Sequence, residues 1–327
     1  MLGRMRVRQI GAVAGILLGG IGCMKTDRVV AVQIGMDMDA GEDVTLADVA
    51  LADVALGADA WVWRPFSTPT PVANLVADTT DAHGPSLVGV DELELYISCE
   101  ESGATTFHIW SSTRNSRNAA WNPATEVVEL DSAYNEQDPD VSYDGLTMYF
   151  ASDQAGEGYQ IYFSQRTARG LKWLPPVLVP VLGSSDLDIR GPSGNPSGLF
   201  MTFCAAPRGT ENFNLYSASR TEPTGTWGNV QPLSGINSSR ADADPGLFRD
   251  SLSLIWSSRA PSKGQSWDLV EVSRSDPNTP FSATPTVLDS INTDIAERYP
   301  WVSQDGTHIL FNREAVGSPG VIYEAWR

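Results

Sequence analysis

The sequence predicts an all-β protein, a five-bladed β-propeller of four-stranded antiparallel blades whose last blade is closed by an N-terminal strand. Three observations predict it. Pro85, Pro139, Pro192, Pro245 and Pro300 follow one another at intervals of 54, 53, 53 and 55 residues. The pairs Ile109-Trp110, Ile161-Tyr162, Leu215-Tyr216, Leu269-Val270 and Ile322-Tyr323 keep step at 52, 54, 54 and 53, and four residues after each stands Arg114, Arg166, Arg220, Arg274 or Arg327. The 29 Gly, 21 Pro, 10 Trp, 9 Tyr and 10 Phe among 327 residues suit short strands and tight turns better than helices. A fixed period of this length marks a repeat architecture.

Within each copy the strands follow in order. In the second, Asp144-Gly145 is a hairpin turn between Val141 and the run Met148, Tyr149, Phe150. Asp305-Gly306 repeats that turn before Ile309, Leu310 and Phe311, while Ser197-Gly198, Asp250-Ser251 and the weaker Asp91-Glu92 occupy it in the third, fourth and first copies. A third strand carries the apolar pair, and a fourth starts near an aromatic residue seven places after the arginine: Trp121, Trp173, Trp227 or Phe281. Four such strands make a propeller blade. The fifth copy stops at Arg327, and RPFSTPTPV around Phe66 matches TPFSATPTV around Phe281. The segment at Phe66 is therefore expected to finish the fifth blade, which leaves no terminal edge as a template for aggregation. Residues 61–327 hold five copies of about 53 residues and no sixth.

Ahead of the repeats, Arg4, Arg6 and Arg8 precede an uncharged apolar stretch from Ile10 to Ile21, so residues 1–23 read as a signal segment too short to span a bilayer. Residues 24–60 carry eight acids against Lys25 and Arg28 and no aromatic residue, the composition of a solvated, disordered tether. The net charge of −18 would repel polyphosphate, which excludes nucleic acid as an expected partner.

Two resemblances follow from particular residues. GGIGC, ending at Cys23, resembles the lipobox of bacterial lipoproteins, with Gly20 where that pattern usually carries Leu. It implies a diacylated Cys23 as lipid anchor, and Met24 after it favours the outer membrane within the cell envelope. The phrases PDVSYDGLTMYFASDQ, GYQIYFSQR, LSGINSSRADADP and LDSINTDIAERYPWVSQDGTHILF resemble the TolB-type propeller repeat, over about residues 80–327. Five copies are fewer than the six of TolB, and the first lacks the Asp-Gly turn. The resemblance implies a monomeric, non-enzymatic interaction platform in the envelope, bound to the membrane only by its lipid and engaging another envelope protein or a peptide. Fold alone implies no reaction.

Acids gather before the repeat prolines: Asp81, Glu136 with Asp138, Asp188, Asp242 with Asp244, and Glu297. That segment enters the innermost strand, so the acids are expected around one rim of the central channel, where mutual repulsion would raise pKa values or recruit a structural cation such as calcium, or where the acids would form a sugar-binding funnel. No other cofactor is expected. The ligand-binding candidates are Glu136, Asp138, Arg190, Asp242, Asp244, Glu297, Arg298 and Tyr299. A rival expectation, a secreted carbohydrate-active enzyme, draws Asp138, Asp244 and Glu297 as a catalytic set, one acid donating a proton and another attacking or activating water. The same acids also serve as turn formers and hydrogen-bond acceptors between blades.

His83, His108 and His308 stand at unlike offsets with no ligand spacing, so no metal site is expected. Cys99 and Cys204 lie in non-adjacent copies and are expected as small buried thiols. The aromatic series from Trp121 to Phe281 keeps a fixed register and is expected to pack between sheets, and the repeat arginines to pair with nearby acids. Residues that break the symmetry, His83, Arg190, Arg208, Arg298 and Tyr299, are better functional candidates.

Overall fold

Each blade is organised by its first turn. In the second blade Ser142 donates its hydroxyl to Asp144 at 2.6 Å and accepts the Thr147 N–H at 2.9 Å, while Asp144 also accepts the Leu146 N–H. Gly145 follows at φ 74°, a left-handed conformation that only glycine adopts without cost. Ser303, Asp305 and Gly306 rebuild the same turn in the fifth blade. Glu92, Gly145, Gly198, Ser251 and Gly306 are all left-handed there, so the turn geometry is kept even where the sequence departs from Asp-Gly.

The computed structural model describes residues 64–77, 80–100, 103–156, 158–179, 186–259 and 266–327. The signal segment, Cys23 and the acidic tether lie outside them. The compact repeat unit runs from Trp63 to Arg327. Strand β1 (Thr70–Pro71) precedes blade one, which comprises β2 (Asp81–Leu87), β3 (Glu94–Glu100), β4 (His108–Thr113) and β5 (Thr125–Glu126). Blade two comprises β6 (Glu136–Val141), β7 (Thr147–Ser152), β8 (Gln160–Gln165) and β9 (Val177–Leu178). Blade three holds β10 (Leu187–Gly194), β11 (Phe200–Pro207), β12 (Asn214–Ser219) and β13 (Gly228–Pro232). Blade four holds β14 (Asp242–Phe248), β15 (Ser253–Ser258), β16 (Asp268–Ser273) and β17 (Thr286–Val287). Blade five, β18 (Ala296–Val302), β19 (His308–Glu314) and β20 (Val321–Trp326), takes β1 as its fourth strand.

That closure is the one expected from Phe66. Thr70 pairs with Glu324, Pro71 with Tyr323, and the Ser67 N–H donates to the Trp326 carbonyl at 2.7 Å. The inner strands β2, β6, β10, β14 and β18 each touch the next, and β18 returns to β2, so the ring is complete. Five apolar clusters fill the spaces between neighbouring blades. Their centres are second-strand residues in one register: Ile97, Phe150, Phe203, Trp256 and Phe311, all fully buried.

The repeat arginines act as clamps. The Nε of Arg114, Arg166, Arg220, Arg274 and Arg327 donates to the carbonyl of the left-handed turn residue of its own blade, Glu92, Gly145, Gly198, Ser251 and Gly306 respectively. Each guanidinium also lies 4.1–4.5 Å from the ring of Trp121, Trp173, Trp227, Phe281 or Phe66. Arg166 pairs with Glu94 at 2.7 Å and Arg327 with Glu271 at 3.1 Å, whereas Arg220 and Arg274 donate further to the carbonyls of Gly225 and Thr279.

Candidate functional site

Inner strands normally present residues i and i+2 to the same side. Here every inner strand is broken at one place. Gly84, Asp138, Gly191, Asp244 and Tyr299, each just before a repeat proline, have φ between 52° and 59°, and the pairing register shifts across that point in all five blades. Proline disfavours the right-handed α region for its predecessor, and the bulge takes the left-handed one. These bulges turn toward the ring axis, and they sort the acids into two classes.

The first class is Glu136, Asp242 and Glu297, two residues before the bulge, all fully buried. Glu136 accepts from Ser132 and Ser152, Asp242 from Ser238 N–H, Trp256 Nε1 and Ser258, and Glu297 from Thr293 and Arg313. Each pins the loop entering its own inner strand. The structure therefore separates Glu297 from the pair Asp138 and Asp244 with which the sequence had grouped it, and its carboxylate is committed to Thr293 and Arg313.

The second class is Asp138 and Asp244, at the bulges themselves, together with the side chains one residue earlier. His83, Arg190 and Arg298 stand at that position in blades one, three and five. Arg298 pairs with Asp244 at 3.1 Å and lies 4.4 Å from the Trp267 ring and 4.5 Å from that of Tyr299. Arg190 lies over the Tyr159 ring, its guanidinium carbon 3.6 Å from the centroid, and makes no ion pair among the described residues. His83 stacks on Tyr299 at 4.5 Å and leans on Phe107.

Two polar atoms of this group have no partner and are buried. They are His83 Nε2 and Asp138 Oδ1, 4.0 Å apart, on side chains whose residues are each 6% exposed. Arg190 Nε is a third unpartnered atom. Burial, reinforced by Arg298 and Arg190, pushes the imidazole of His83 down to about 3, so it is neutral at physiological pH. Burial and the neighbouring Asp244 carboxylate hold Asp138 above the usual carboxylate range, against the pull of Arg190 and Arg298. Burial also pushes the Tyr159 phenol up to about 12.

Aromatic side chains stand against this cluster. Phe107, Tyr159, Phe213 and Trp267 immediately precede the third strands of blades one to four, with Gly320 in the fifth. Their carbonyls, and that of Gly320, accept the N–H of Glu136, Ile189, Asp242, Glu297 and Ala82 from the next inner strand. The signal was legible as an aromatic residue two places before the apolar pair in the first four copies. Asp188 accepts from Tyr159 and Gly209 N–H groups, while Arg208 stands exposed.

Beyond the bulges the axis opens into a funnel of about 780 Å³, counting the solvent at its mouth, lined by the five repeat prolines. Its blade junctions repeat one bond. Ser86, Asp140 and Ser193, two residues after the bulge, accept the N–H of Val141, Gly194 and Leu247 from the next blade. Burial pushes Asp140 up to about 7.

Elsewhere, donor atoms of His108, Asp131 and Glu136 lie within 4.8 Å of one another, a set able to hold a cation that the sequence spacing did not reveal. Both carboxylates meet the same imidazole nitrogen, Nδ1, in a hydrogen-bonded group. His308 is fully buried between Glu92 and Glu324 and stacks on Trp326. Cys99 and Cys204 are both buried.

Fold and site together define a five-bladed propeller with a side-chain cluster on its axis. Solved structures share the fold. A thermostable family-43 glycoside hydrolase is similar over 77% of this chain and 90% of its own, with a TM-score of 0.53 and 14% identity. An α-L-arabinofuranosidase from Podospora anserina in complex with cellotriose gives 0.51 over 80% and 94% at 9% identity. A putative TolB from Agrobacterium tumefaciens gives 0.44 over 72% and 71% at 14% identity. At such identities the likeness to the two hydrolases establishes the fold alone. No family model and no curated protein matches the chain.

Proposed function

We propose that the propeller is a non-hydrolytic binding protein that takes a hydroxyl-rich saccharide at its axial mouth. The observation that carries this reading is the pair of buried, unpartnered atoms, His83 Nε2 and Asp138 Oδ1, 4.0 Å apart. Leaving such groups unsatisfied costs about 1–3 kcal/mol each, which a ligand hydroxyl would recover by donating to Asp138 and accepting from His83. A compact ligand suits the mouth better than an extended peptide, because the carbonyls of Phe107, Tyr159, Phe213 and Trp267 are already taken by the next blade and leave no sheet edge for strand addition. Hydrolysis is disfavoured: glycosidases need two available carboxyl groups, while Arg298 engages both oxygens of Asp244 and Glu297 is consumed by its own loop. Calorimetric titration with oligosaccharides, alongside a reducing-end assay, tests this. Binding without product is expected, and turnover lost in both Asp138→Asn and Asp244→Asn would overturn it.

A second reading, a docking platform for an envelope protein, draws on a different observation. Leu171, Leu174, Val177 and Leu178 lie exposed along the outer edge of blade two. Co-purification from detergent-solubilised membranes, lost on Leu174→Glu, would favour it. In either reading Cys23 carries the lipid and the envelope is the compartment. Mass spectrometry of the mature N-terminus checks this, an unacylated cysteine being the adverse result.

A further inference from the structure

We infer that the saccharide is an acidic one, a uronate, whose carboxylate pairs with Arg190 while a ring hydroxyl bridges His83 and Asp138. The inference rests on the saccharide reading above and adds the ligand's charge.

The chain as a whole is strongly acidic, at −18, yet its axial mouth places Arg190 and Arg298 together. Arg298 has its carboxylate, Asp244. Arg190 has none within 4 Å among the described residues. Its guanidinium carbon lies 3.6 Å from the centroid of the Tyr159 ring, with Phe213 at 5.8 Å, so packing against the rings restrains the guanidinium. Restraining it orients the coplanar N–H groups, whose fork matches the two oxygens of a carboxylate. Nε is buried without any acceptor, so it too awaits one.

Asp138 attracts Arg190 only from beyond ion-pair distance and gives one oxygen to the Gly191 N–H, at 3.2 Å. Its other oxygen faces His83 at 4.0 Å, too far for a direct bond. Two bonds of about 2.8 Å meeting at one hydroxyl oxygen span that gap. A ligand ammonium would also reach Asp138, but it would leave Arg190 without a carboxylate. A carboxylate and a hydroxyl carried on one compact ring describe a uronic acid.

The test is calorimetric titration of the full chain with trigalacturonate, its methyl ester and xylotriose. The acid is expected to bind about 10- to 100-fold more tightly than the ester, the range of a charge-assisted hydrogen bond. Arg190→Gln should remove most of the advantage of the acid over the ester. The comparison of acid with ester in the unmodified protein needs no variant to fold. Equal binding of acid and ester would overturn the uronate while leaving a saccharide site standing. Absence of binding by all three would overturn both.

Discussion

The guanidinium of Arg327 lies 4.1 Å from the ring of Phe66, so the last residue of the propeller clamps an aromatic side chain supplied from before its first blade. The four other blades make the same contact internally, at 4.2–4.5 Å. Phe66 therefore does for blade five what Trp121 does for blade one, and it also enters the apolar cluster between blades four and five. Phe66→Ala is expected to cost about 3–5 kcal/mol in urea unfolding, as for other buried aromatic truncations. A cost below about 1 kcal/mol would mean that the ring is closed by other contacts.

The two classes of acid should separate stability from binding. Glu297→Gln weakens charge-assisted bonds to Thr293 and Arg313 in a fully buried place and is expected to lower stability by about 2–4 kcal/mol. Asp138→Asn keeps an oxygen for the Gly191 N–H and tolerates the left-handed backbone, so its melting temperature should stay close to the original. Its saccharide affinity should fall by about tenfold. The reverse pattern would put the binding site with the loop acids.

Much of this was legible in the sequence because two registers kept step over five copies. The turn position remained recognisable through Asp-Gly, Ser-Gly and Asp-Ser, and the Phe66 match foretold the closing strand. The partition of the acids was not legible from alternation. Glu136 and Asp138 are two residues apart, so a regular strand would show both on one face, and only the left-handed bulge at Asp138 parts them. A local signal did exist: Ser132, Ser238 and Thr293 each stand four residues before Glu136, Asp242 and Glu297, a spacing that Asp138 and Asp244 lack. The convergence of His108 with Asp131 and Glu136 depends on a blade junction and has no counterpart in spacing.

The bulge itself can be tested at Gly191. Its φ is 57°, and a Cβ there would stand 3.2 Å from the Cα of Asp244, backbone that cannot swing aside. Gly191→Ala is expected to lose about 1–3 kcal/mol, against a few tenths for Gly209→Ala, which has the same sign of φ and open space around it, beyond their shared conformational cost. Equal losses would show that backbone conformation alone matters and that the blades do not approach closely at the axis.

Cys204 stands where blades one and four have Ser98 and Ser257, whose hydroxyls accept the N–H of Asp138 and Tyr299 from the next blade. Its sulfur accepts the Asp244 N–H in the same way, and burial pushes the thiol up, so it is inert. Cys204→Ser should therefore cost less than Cys204→Val, which leaves that N–H unsatisfied at about 1–3 kcal/mol. In the native protein neither thiol should react with a disulfide reagent. Rapid labelling of Cys204 would contradict its buried place.

Asp140 offers the sharpest dependence on pH. Its counterparts Ser86 and Ser193 accept an N–H across the blade junction with a neutral hydroxyl, whereas Asp140 does so with a carboxyl group that burial pushes up to about 7. In the unfolded chain an aspartate titrates near 3.9. Between those values the folded state holds a proton that the unfolded state has released, so stability falls as pH rises from about 4 to about 7 and then levels off. Asn keeps the acceptor for Gly194 and has no charge to desolvate. Asp140→Asn should thus be more stable than the original protein at pH 8, on the order of 2 kcal/mol, and the two should converge near pH 4. Urea titrations at those pH values read the difference directly, and an equal gap at both would show that the carboxyl group is solvated in the folded ring.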